Sequence, residues 1–128
     1  MSRAARSAFV FGIYLVATGG VLIAAPNVLL ALLFLPSTSE PWIHVLGIPV
    51  MAIGMLHVLS ARAELLPFFR ASVRVRVFVF LCFTALAALR IIPPILIVFG
   101  IADAASALWT HLALRGGVVP AAPARGLP

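Results

Sequence analysis

The chain has 128 residues, of which 64% are hydrophobic and only 9% charged, with a mean hydropathy of +1.23; soluble domains carry roughly 25% charged residues. A domain of this length cannot hide so much apolar side chain from water, so the composition excludes an ordinary soluble fold and makes the lipid bilayer the second solvent. The formal net charge of +6 comes from nine basic residues, every one an arginine, and most flank apolar runs where anionic headgroups lie, which argues against a nucleic-acid partner.

Arg3 and Arg6 precede the first apolar run, residues 8–25, which is long for the apolar core of a secretory signal and is read as the first membrane span. Pro26 breaks that run. The apolar segment at 27–35 is too short to cross a bilayer and is expected to form an interfacial or re-entrant helix with Asn27 as N-cap. Pro36, Ser37, Thr38, Ser39, Glu40 and Pro41 make a polar turn.

The second span is expected at 42–60. Between it and the third, Arg62, Glu64, Phe68, Phe69, Arg70, Arg74 and Arg76 read as an amphipathic, membrane-hugging segment that contacts lipid or a partner, with Glu64 pairing to Arg62 or Arg70. The third span is expected at 75–90. Pro93 and Pro94 then force a tight connection to a fourth span at 94–114, antiparallel to the third. Residues 1–115 thus form a single transmembrane domain, and 116–128, rich in Gly, Pro and Ala, read as a flexible tail.

The expected fold is therefore an all-α integral membrane four-helix bundle. Eight arginines fall at the termini and the middle connection and only Arg90 on the other side, which places both termini in the cytoplasm. Gly12 and Gly19 in the first span, and Gly47, Gly54 and Ala61 in the second, recur every seven positions, a stripe that lets two backbones approach closely.

Chemistry has few places to reside. Asp103 lies near the middle of the fourth apolar run, where a carboxylate costs roughly 2.5–3.5 kcal/mol on insertion scales and must face the bundle interior. Counting about 1.5 Å of rise per residue puts Thr18, Thr84 and Met51 at its depth and Tyr14, His57 and Ser106 slightly nearer the cytoplasm. Asp103, Tyr14, His57, Thr18 and Thr84 are the candidate proton-handling or ligand-binding residues. Arg90 is read as snorkelling to the outer headgroups. Cys82 is the only cysteine and the three histidines fall on different sides, so neither a metal site nor a cofactor is expected.

The four short spans, the apolar break after the first, the Glu40 to Trp42 entry and the 62–70 connection resemble small bacterial four-helix membrane proteins of the DoxX-like and BphX-like kind. The resemblance implies a fold and a bacterial plasma-membrane location. It matches no catalytic motif. Three roles follow as expectations: an accessory subunit that packs as a homo-oligomer or against another membrane protein, a small proton-coupled transporter using Asp103, and a membrane-embedded enzyme of isomerase or cyclase type on a lipophilic small molecule.

Overall fold

The computed structural model describes residues 1–116, and the expected flexible tail lies outside them apart from Gly116. Ser2 starts α1 (Arg3–Ala24) as N-cap, its hydroxyl accepting from the Ala5 amide at 3.1 Å. The helix runs until Pro26, which occupies the first turn of α2 (Pro26–Leu32), where its missing N–H is harmless and its ring prevents α1 from continuing. Asn27 does not cap α2. Its side chain instead holds the backbone of Thr38 through two bonds of 2.9 and 3.1 Å, tying the polar turn back to the start of the short helix.

α3 (Trp42–Arg62) and α4 (Leu66–Ala88) are separated by three residues only. The segment expected to lie along the membrane surface is thus the end of one spanning helix and the first turns of the next, and the third span starts at residue 66 instead of 75. Pro67 explains the early start, because proline in a first turn favours helix entry. A 3-10 turn (Pro94–Leu96) leads into α5 (Ile97–Gly116). All four long helices are apolar enough to cross a membrane, and at about 1.5 Å per residue their 20 to 23 residues match a hydrocarbon core of about 30 Å.

Three helices end without glycine on a left-handed residue: Phe34 at φ 57°, Glu64 at φ 52° and Arg90 at φ 58°. In each case the next amide reaches back five residues, Leu35 to Leu30, Leu65 to Ser60 and Ile91 to Leu86, at 2.9 to 3.1 Å. Orphan carbonyls at the helix ends are satisfied in this way.

The bundle consists of two helix pairs, α1 against α3 and α4 against α5, joined by contact between α1 and α5. The glycine stripe closes the first pair. A Cβ at Gly19 would lie 2.7 Å from the Gly47 carbonyl oxygen, and one at Gly12 would lie 2.8 Å from that of Gly54. The second pair meets through larger side chains, with Gly100 under Phe80 and Phe83. The start of α1, the end of α3, the start of α4 and the end of α5 converge on a core of Ala4, Ala5, Ala8, Ala61, Phe69 and Ala113. α3 and α4 hardly touch beyond their connector, which leaves a gap between the pairs.

Candidate functional site

That gap is a cavity of about 430 Å³. Leu29 and Leu30 of α2 and Leu33 just after it line it together with aliphatic and aromatic residues of the spanning helices. Its polar groups are few: Tyr14 and Thr18 from α1, His57 from α3, Ser72 and Arg76 from α4, and Asp103 from α5. Asp103 and three of the four residues expected around it, Tyr14, Thr18 and His57, therefore line one space.

Thr84 is the exception. It does not line the cavity, and its hydroxyl donates to the Phe80 carbonyl of its own helix at 2.9 Å. Thr18 lines the cavity, yet its hydroxyl likewise donates to the Tyr14 carbonyl at 2.8 Å, and Ser106 donates to the Asp103 backbone. Hydroxyls bonded back to the preceding turn are a common resolution for Ser and Thr within helices. Consequently, among the described residues the Asp103 carboxylate, half-buried at the cavity wall, has no hydrogen-bond partner and no direct ion pair.

The largest departure from expectation is Arg76. Placed by sequence in a surface cluster for lipid or partner contact, it is only 2% exposed. Its Nε donates to the Ser72 carbonyl at 3.3 Å, and its Nη2 to the Ser72 hydroxyl at 2.8 Å and the Thr110 hydroxyl at 3.0 Å. The guanidinium carbon sits 4.7 Å from the centre of the Phe11 ring, a cation–π contact that strengthens where water is excluded. Burying a charge is costly unless partners replace its hydration, and these neutral oxygens and the aromatic face do so incompletely: Nη1 is buried with no partner.

His57 is the second incompletely satisfied group. Its Nδ1 donates to the Ile53 carbonyl at 2.9 Å, and because a carbonyl only accepts, Nδ1 carries the proton. In the neutral ring, which burial between two phenyl rings favours over the imidazolium, Nε2 is an acceptor, and that atom is buried without a partner. Phe11 and Phe68 flank the imidazole edge to face, each with ring centres 5.0 Å away, and fix its orientation.

One further residue leaves the expected lipid-contact set. Phe69 is fully buried in the core, whereas Phe68 is half-buried, with one side against His57. Arg62, Arg70 and Arg74 remain exposed. Glu64 is exposed too, but pairs with neither Arg62 nor Arg70. It accepts from the Ser2 amide and the Ser2 hydroxyl, each at 2.6 Å, with the N-terminal ammonium 4.0 Å away. The Ser2 side chain, then its amide, hold the Glu64 carboxyl below the usual carboxylate range. Arg90 is exposed at the opposite end and does not line the cavity.

Sequence reasoning missed Ser72 and Thr110, which hold Arg76. The available signal was Ser72 four residues before Arg76, on the same helical face. Comparison with known proteins returned no matching family model, no matching curated protein and no matching solved structure.

Proposed function

We propose that this chain binds a lipophilic small molecule drawn from the bilayer, seating the molecule's polar end against His57, Arg76 and Asp103. The observation that carries this reading is a largely apolar cavity, within the roughly 300–1,000 Å³ range of ligand sites, lined by two residues, His57 and Arg76, that each carry a buried nitrogen without a partner. Leu46, Ile53 and Val75 line it while remaining 54%, 48% and 59% exposed, so its walls reach the lipid face along the loosely packed α3 and α4. A lipid-dissolved molecule enters by that side without crossing water.

The exposed arginines support a bacterial plasma-membrane protein with the start of α1 and the end of α5 in the cytoplasm. The unpartnered Asp103 carboxylate also supports a second step, in which it gives or takes a proton from the bound molecule, as an enzyme or a proton-coupled carrier does. An accessory role within a larger membrane complex has no comparable feature behind it.

The test is to purify the protein into lipid nanodiscs and identify what is extracted with it by mass spectrometry, beside a Val79→Trp variant that fills the cavity. A lipophilic compound retained by the wild type and lost from Val79→Trp is expected. Identical extracts from both, together with no binding of added 1-monolaurin by either, would sink the proposal.

A further inference from the structure

The two buried nitrogens without partners belong to side chains that both pack on the Phe11 ring, and they differ in what they need. Arg76 stacks on Phe11 at 4.7 Å and His57 meets the same ring edge to face at 5.0 Å. Arg76 Nη1 has a hydrogen to give, and His57 Nε2, with its proton on Nδ1, has a lone pair to fill. Both side chains are at least nine-tenths buried, 2% and 5% exposed, and both line the cavity. Leaving such groups without partners is costly, so a molecule that satisfies both is favoured.

Charge narrows the choice further. The cavity already holds one cation, Arg76, and one carboxylate, Asp103, that are not in direct contact. A charged head of either sign gains one attraction and meets one repulsion there, and it must also give up its hydration on leaving water, a cost that a neutral head avoids.

Resting on the binding function proposed above, we infer that the site selects a neutral long-chain molecule whose polar end carries a hydroxyl. The head accepts from Arg76 Nη1, through the hydroxyl oxygen itself or a neighbouring carbonyl, and donates its hydroxyl hydrogen to His57 Nε2. Phe11 and Phe68 keep the imidazole from turning away. Long-chain alcohols and monoacylglycerols share this chemistry.

Competition against tritiated 1-monolaurin on the protein in nanodiscs tests it, with 1-dodecanol, dodecyl methyl ether, dodecylamine and n-dodecane as competitors. In the wild type, dodecanol should outcompete the ether about tenfold, the equivalent of one hydrogen bond, with the amine and the alkane weaker still. His57→Phe, which keeps the aromatic stack, should bring alcohol and ether level. Arg76→Met should weaken both and leave the alkane unchanged, and if that variant does not fold, His57→Phe decides alone. An unchanged order of competitors in His57→Phe overturns the head-group assignment while leaving the cavity's binding function standing. Failure of wild type and Val79→Trp alike to bind monolaurin overturns both.

Discussion

Ser7 and Thr110, 103 residues apart in sequence, meet hydroxyl to hydroxyl at 2.8 Å in the buried contact between α1 and α5. Each hydroxyl has one hydrogen. Either Thr110 donates to Ser7, which donates to the Ala4 carbonyl, or Ser7 donates to Thr110, which donates to the Ser106 carbonyl. In both orders Thr110 accepts from Arg76, so a chain of polar contacts links the two helix pairs to the buried guanidinium. Replacing Thr110 with Val keeps the shape and removes the link. Thermal unfolding in detergent should show a loss of about 1–3 kcal/mol, and Thr110→Ser should recover most of it.

The glycine stripe predicts a sharp contrast between neighbours. A Cβ at Gly19 would lie 2.5 Å from the Met51 amide nitrogen, whereas one at Gly20 would meet only the end of the flexible Met51 side chain at 3.3 Å. Gly19→Ala must push α1 off α3 and should cost about 3 kcal/mol or prevent assembly. Gly20→Ala should unfold within a few degrees of wild type. Equal midpoints for the two would contradict the close approach of the backbones.

The contact between Glu64 and the N-terminus should depend on pH. Because the carboxyl titrates below its ordinary value in the folded chain, its contribution is complete above the usual carboxylate range and disappears as pH falls through the lowered folded value. The thermal midpoint of wild type should exceed that of Glu64→Gln at neutral pH, and the gap should close in acid. A gap that widened on acidification would reverse the sign argued here.

Arg90 closes α4 from a left-handed conformation, φ 58°, which disfavours any side chain by about 1–2 kcal/mol. Arg90→Gly should raise stability by about 1 kcal/mol, while Arg90→Ala, with its Cβ retained, should not. An Arg90→Ala variant that gained as much as Arg90→Gly would show that the backbone is not the source.

The arginine distribution predicts sidedness. In a Cys82→Ala background, cysteines placed at Ala63 and Ser39 should react oppositely with a membrane-impermeant maleimide applied to intact cells, Ala63 protected and Ser39 labelled. Labelling of Ala63 alone would invert the topology.

Much of the frame was legible because membrane helices are written in long apolar runs and small-residue spacing. Gly12, Gly19, Gly47 and Gly54 appear in sequence at the intervals they use in the packed pair, and the depth count brought Tyr14, Thr18 and His57 to the cavity of Asp103. Two kinds of information were not local. Whether Thr18 and Thr84 bond across the bundle or to their own helix depends on competition with a carbonyl four residues back, which no pattern of types reveals. Arg76 looked like its neighbours Arg70 and Arg74 in the charge count, and besides the local Ser72 it is the distant Thr110 and the Phe11 ring that account for its turning inward.

The unequal closeness of the two helix pairs makes the bundle mechanically lopsided. α1 and α3, in backbone contact through glycine, have no side-chain layer between them at the stripe to yield, whereas α4 and α5 rest on the phenyl rings of Phe80 and Phe83, which can change rotamer. The α4–α5 half is therefore the more yielding of the two and the α1–α3 half the stiffer, so strain applied to the bundle is taken up first between the phenyl rings.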